Sequence, residues 1–171
     1  MFSISQTSRG FFCLEWLSTE NGPQIITTKH LKISSDFTDK SLLKNIISEY
    51  EFSTNNESDS LSVTVNSDNV FISSIDTLPG QENKKMINWY ESNLMGADFC
   101  SKYHTYYYPM KTNKNNKFLI VSFPENIKNN IIESANNLKL SLLYLSVDIF
   151  SAAVFVQHLY QKDIKHKYVL W

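Results

Sequence analysis

From Lys117 to Tyr160 the period of the apolar positions changes repeatedly. Lys117 to Phe123 is an unbroken apolar run of strand length, the pattern of a strand covered on both faces in a parallel sheet. Ser122, Pro124 and Glu125 then stand where an N-cap, an early helical proline and a first-turn acid belong. The helix that follows buries one stripe, Ile127, Ile131, Ala135 and Leu138, with Lys128, Asn129, Asn130, Glu133 and Asn137 on its other side. Leu140 to Val147 is a second apolar run. Asp148 is placed to cap a last helix, whose Ala152 and Ala153 let it lie close to a sheet. Strand, helix, strand and helix in this order predict a right-handed crossover, and with it an α/β or α+β fold. The predicted core is Leu119, Val121, Ile131, Ala135, Leu143, Leu145 and Val154.

Upstream, Gly10 to Leu17 and Pro23 to Ile33 read as a hairpin turning at Asn21 and Gly22. Leu42, Leu43, Ile46, Ile47 and Tyr50 mark an amphipathic helix capped by Thr38 or Asp39. After a polar loop, Ser53 to Ser60, two strands at Leu61 to Val65 and Val70 to Ile75 flank a turn at Asn66 to Asn69. Pro79 and Gly80 break the chain. Met86, Ile87, Tyr90 and Leu94 then describe a helix that Gly96 can end. Phe99 to Pro109 alternates as a strand, with Phe99, Tyr103 and Tyr107 on one face and Cys100, Lys102, His104, Tyr106 and Tyr108 on the other. An Asn/Lys loop, Lys111 to Asn116, leads into the next strand.

A chain of 171 residues, 42% apolar and 13% aromatic, can bury a full core as one domain or two joined lobes. Its net charge of -1 gives no general electrostatic attraction to nucleic acid or to an anionic membrane. Cys13 and Cys100 lie in apolar or aromatic runs without a CxxC, and read as buried free thiols of a reducing compartment. The N-terminus has no basic segment followed by an apolar one, so a cytosolic protein is expected. Leu138 to Val156 is long and apolar, but Lys139, Asp148 and a strand-to-helix boundary interrupt it, which argues against membrane insertion.

Catalytic chemistry is sparse. The histidines, His30, His104, His158 and His166, fall in separate elements with no nucleophile motif around them. There is no GxGxxG, GxxxxGK[ST] or HExxH. Glu15, Glu49 and either Asp76 or Asp148 could meet as a two-metal nuclease site on a ribonuclease H-like sheet. The tyrosines at 103, 106, 107 and 108 read as a packed aromatic face or a protein-binding surface, because a nucleic-acid groove would need interleaved cations and only Lys102 and Lys111 are near. Tyr106 and Tyr108 either face a groove or pack under a helix of Gln81 to Leu94 with Trp89 between them; both alternatives stay open.

The order of elements, with "VFISSIDTLP" before a helix and "KFLIVSFPENIKNNIIESANNLKLSLLYLSVDIFSAAVFVQHLY" after a strand, resembles the first half of PilM-type actin-like pilus-assembly proteins. The cytoplasmic domain of the type II secretion L protein and the cell-division protein FtsA are similar. The resemblance implies a ribonuclease H-like, actin-type subdomain formed by residues 1–75 and 117–171, with a small α+β subdomain inserted at 76–116. Nucleotide-binding members carry Asp-x-Gly and small hydroxyl residues at the first hairpin. Here Glu15-Trp16-Leu17-Ser18-Thr19 is aligned with that run, and Leu17 would block the close backbone approach that glycine allows, so no cofactor is expected. The chain stops at Tyr168-Val169-Leu170-Trp171, where the family's second half would begin. The expectation is a non-enzymatic cytoplasmic scaffold of a type IV pilus or type II secretion-like platform, peripheral to the inner membrane. It would bind a short cytoplasmic peptide of an inner-membrane assembly protein, with Trp89, Tyr103, Tyr106 and Tyr108 as partner-binding residues. Self-association is a further possibility; nucleic acid and direct membrane insertion are not expected. The alternatives are an actin-like ATPase completed by a second half and a ribonuclease H-like metal nuclease.

Overall fold

The computed structural model describes residues 1–51, 59–76, 83–111 and 116–152. A five-stranded sheet is laid down in the order β3-β2-β1-β4-β8, from β1 Phe2–Thr7, β2 Gly10–Thr19, β3 Gly22–Leu31, β4 Ser60–Val65 and β8 Ser141–Val147. β1, β2 and β3 pair antiparallel, whereas β4 runs parallel to both β1 and β8. This mixed order is the expected ribonuclease H-like arrangement. A second sheet, β5-β7-β6, is wholly antiparallel and is made of β5 Phe71–Asp76, β6 Tyr103–Lys111 and β7 Asn116–Pro124.

The main core lies between one face of the larger sheet and two helices, α1 Leu42–Tyr50 and α4 Glu125–Asn137. Leu42, Leu43, Ile46, Ile47 and Tyr50 of α1 are all buried at helical spacing, as are Ile127, Ile131 and Ala135 of α4. They meet Phe2, Ile4, Phe11, Cys13, Leu61, Val63, Val65 and Val147 from alternate positions of the strands. Phe11 packs edge-on against Phe37 at 5.5 Å, and the tilted rings of Phe2 and Tyr50 lie 4.8 Å apart. Gly10 has φ +124°, and a Cβ there would stand 2.1 Å from the Leu31 carbonyl oxygen, so only glycine lets β2 begin against the end of β3.

Several expectations are corrected. The sequence pattern does not announce the central strand β1, since its six residues show only Phe2 and Ile4 as apolar signals; both are fully buried. Lys117 to Phe123 does not lie in a parallel sheet beside the Leu140 run. It is the middle strand β7 of the antiparallel sheet, and its unbroken apolar run reflects cover on both faces rather than parallel pairing. The strand before β8 in its own sheet is instead β4.

The helix of Met86 and Tyr90, α2 Asn83–Tyr90, does not end at Gly96 but passes through one wide turn, Glu91–Met95, into α3 Gly96–Lys102. Phe99 and Cys100 are therefore helical, and the alternating strand starts at Tyr103. α1 begins after Ser41, whose amide and hydroxyl both donate to Asp39 Oδ1 at 2.8 Å and hold that carboxyl below its ordinary value. Ser122 belongs to β7 and exchanges a 2.9 Å hydrogen bond with Thr105, leaving Pro124 at the start of α4.

Among the predicted core residues Val121, Ile131 and Ala135 are buried, and Leu119 and Leu145 half-buried. Leu143 is 46% exposed. The β4–β8 register slips between Leu61 and Ser62, so β8 carries an extra residue there and its alternation is broken at Leu143. Val154 lies outside the described residues, as do Pro79, Gly80 and Ala153. Cys100 is exposed, because it sits on α3 rather than inside a strand; Cys13 is a buried free thiol.

Candidate functional site

β6 separates two kinds of side chain by simple alternation. Tyr103, Thr105 and Tyr107 face the helices. Phe99 of α3 stacks on Tyr103 at 4.3 Å and meets Phe71 edge-on at 5.5 Å. The Tyr107 hydroxyl donates to Glu91 Oε1 at 2.8 Å, and burial first, then this carboxylate, drives its pKa up.

His104, Tyr106 and Tyr108 point the other way, their rings 4.7 and 6.5 Å apart in sequence. Their partners across the ladder are Phe123, Val121 and Leu119 of β7. Together Tyr106, Tyr108 and these three residues form one wall of a groove of ≈ 690 Å³. Lys128 and Ile132 of α4 and Leu142, Leu143 and Leu145 of β8 form the rest, with Ser146, Val147 and Phe150 beyond. The groove thus runs between the two sheets, and its size and apolar lining suit a ligand of several side chains. Glu125 stands 3.7 Å from His104 Nδ1 through one oxygen and 3.7 Å from Lys128 Nζ through the other.

Of the four candidate partner-binding residues, Tyr106 and Tyr108 come together in this groove, 39% and 51% exposed. The packing of these two tyrosines under the α2 helix does not occur; Tyr107 takes that side. Tyr103 is half-buried and borders a smaller hollow of ≈ 380 Å³ with Lys102, Pro124 and Glu125. Trp89 is exposed on α2 and does not line the groove. The sequence reading missed Lys128, placed on the solvent side of α4, and Ile132. The available signal was their spacing of four, which makes a second stripe beside Ile127 and Ile131.

The carboxylates considered for a nuclease do not assemble: Asp76 pairs with Lys117 at 3.0 Å in the smaller sheet, and Asp148 accepts from the Ser67 and Ile149 amides. Among the described residues no group of three His, Cys, Asp or Glu is placed to hold a metal ion. His158 and His166 lie outside the described residues. Glu15 to Thr19 is not at the first hairpin. It runs along β2 toward the second, with Leu17 opposite Gln24. The first hairpin joins β1 to β2 through Ser8 and Arg9, between the paired Thr7 and Gly10. A hollow of ≈ 790 Å³ there is lined by Thr7, Ser8, Arg9, Gly10, His30 and Lys32 among others. Leu17 therefore does not stand where it could block a nucleotide at the first hairpin.

No family model matches the sequence, and no curated protein matches it. Solved structures do. The chain is similar to the cytoplasmic domain of EpsL, an inner-membrane component of the type II secretion system of Vibrio cholerae, with TM-score 0.59 and 12% identity over 88% of this chain and 58% of that one. It is similar to the PilM-PilN type IV pilus biogenesis complex, with TM-score 0.61 and 10% identity over 92% of this chain and 50% of that one. A Bacteroides thetaiotaomicron protein with an actin-like ATPase fold and unknown function is 14% identical, with TM-score 0.44, over 92% of this chain and 54% of that one. The fold is thus shared with the EpsL cytoplasmic domain and with the PilM-PilN complex, the kind of protein that the sequence resemblance names. The chain spans between 50% and 58% of the length of the chains it matches.

Proposed function

We propose that this chain is a non-catalytic scaffold of a type IV pilus or type II secretion-like assembly platform, holding a cytoplasmic segment of an inner-membrane partner in the groove beside Tyr106 and Tyr108. The observation that carries this reading is the groove: apolar walls drawn from both sheets, with two half-exposed tyrosines along one of them. Tyrosine offers a large apolar area with a polar tip and loses few rotamers when covered. Among the described residues β6 has a neighbour, β7, on one side only, so its other edge leaves backbone groups for an extended peptide. A protein of this fold appears by name in a pilus biogenesis complex with a second protein, which supports a partner-holding role. In this reading residues 76–116 are the inserted subdomain and residues 1–75 with 117–171 the actin-type one, tied together by β5 and β7. The protein works in the cytoplasm, at the inner membrane through its partner. No helix among the described residues is long and apolar enough to cross a membrane.

The test is binding of a synthetic peptide, the cytoplasmic segment of the inner-membrane protein encoded beside this chain, to the wild type and to a folded Tyr106→Ala, Tyr108→Ala variant. Loss of roughly tenfold or more in affinity is expected if the pair acts as an interface anchor. Equal binding to both would move the partner site elsewhere.

A second reading, an actin-like ATPase completed by another half, is favoured by one observation: the first hairpin carries Thr7, Ser8 and Gly10 beside Arg9 and Lys32. It is tested separately below.

A further inference from the structure

We infer that the groove reads a carboxylate: its preferred occupant is an extended peptide with an acidic side chain set among apolar ones, and Lys128 is the residue that recognises it. This rests on the peptide-holding role proposed above. α4 presents two side chains to the groove one turn apart, Ile132 and Lys128, and the latter lines it together with Tyr106, Val121 and Phe123. The Lys128 side chain is only 21% exposed. Its acidic neighbour among the described residues is Glu125, at 3.7 Å, which is beyond hydrogen-bonding length, and the same carboxylate lies 3.7 Å from His104. The Lys128 stem is thus largely covered by the groove, and its ammonium makes no hydrogen bond with any of the described residues. A carboxylate brought in by a ligand lying in the groove can accept a charge-assisted hydrogen bond from it, whereas a basic group there meets a like charge. The remaining lining is apolar or aromatic apart from Ser146, so the acid is read at one point and the flanking positions by burial.

The probe is a set of short peptides, blocked at both ends so that no terminal carboxylate competes, alike except for one central position carrying Glu, Gln or Lys between leucines. Binding to the full chain is followed by fluorescence anisotropy. The Glu peptide is expected to bind about tenfold tighter than the Gln peptide at low salt, and the gap to narrow as salt screens the pair. Lys128→Met and Lys128→Gln should each erase the gap, and Lys128→Glu should favour the Lys peptide. Two neutral replacements are used so that a folding defect in one, seen as a lowered melting temperature, leaves the other to decide. Equal binding of Glu and Gln peptides to the wild type overturns the role of Lys128. If Tyr106→Ala, Tyr108→Ala then still weakens both peptides, the groove remains the peptide site. A Glu preference that survives both neutral replacements also overturns it. Absence of binding by every peptide overturns the groove reading and the carboxylate reading together.

Discussion

Ile131 and Leu143 occupy similar apolar runs, yet their environments differ. Ile131 is 1% exposed between α4 and the large sheet, whereas Leu143 sits at the β8 irregularity. Ile131→Ala should cost about 2–5 kcal/mol in urea unfolding, since a cavity adds to the lost transfer energy. Leu143→Ala should cost under about 1 kcal/mol, having little buried area to lose. The reverse order would show that the β8 register is misplaced. The two thiols differ in the same way. Burial pushes the Cys13 thiol from 9.0 up to about 12, against an opposing pull from Lys29. A thiol-disulfide reagent at mildly alkaline pH should label the exposed Cys100 promptly and Cys13 only on unfolding. Because the unfolded chain releases the Cys13 proton first, the stability from burying the neutral thiol is complete below its ordinary pKa of 9.0. It is lost as pH rises through about 12. Tyr50 and Tyr107, also raised from 10.0 chiefly by burial, act in the same direction at higher pH. Urea midpoints measured upward from pH 9.0 should therefore fall more steeply for the wild type than for Cys13→Ala; parallel curves would count against a buried neutral thiol.

α4 does two jobs on adjacent stripes. Ile127, Ile131 and Ala135 close the main core, while Lys128 and Ile132 wall the groove. Its buried Asn130 holds the approach to α1, with the side-chain amide donating to the Phe37 and Thr38 carbonyls at 3.1 and 2.9 Å. Ser134 adds a bond to the Lys40 carbonyl at 3.0 Å. Asn130→Ala leaves the buried Phe37 carbonyl without this donor and should cost about 1–3 kcal/mol. An unchanged unfolding midpoint would show that the segment before α1 does not depend on α4. Asparagine in a helix reads as a solvent-side residue, which is why the sequence pattern misplaced it. The same limit applies to β6. Alternation correctly divided Tyr103 and Tyr107 from His104, Tyr106 and Tyr108, but Phe99 and Cys100 continued the aromatic run into α3, where tertiary packing of Phe99 on Tyr103 decides the boundary.

Across the molecule, two sheets are joined through β7 and α4, and Phe123 shares the main core while its neighbours line the groove. The groove exists because β5, β6 and β7 form a sheet of their own rather than extending the larger one. The scaffold reading predicts that millimolar MgATP leaves the melting temperature of this chain unchanged, since any ligand bound only to the folded state must raise it. A dose-dependent rise that Arg9→Ala or Lys32→Ala abolishes in a folded variant would favour the ATPase reading and place nucleotide at the first hairpin.

The hydrophobic periods alone determined the existence of α1, α4, the β2–β3 hairpin and β8, because each buries a stripe or face long enough to leave its period in the chain. They also left Tyr106 and Tyr108 on one face of one strand. Tertiary structure decided the rest. Phe2 and Ile4 are too few to announce a central strand, and their burial comes from neighbours far away in sequence. β7 carries no mark of which sheet it joins, since an apolar run covered on both faces reads alike in parallel and antiparallel company. Lys128 became a groove residue only when α4 was set between two sheets, so that the flank of its polar side faced β6, β7 and β8 instead of water.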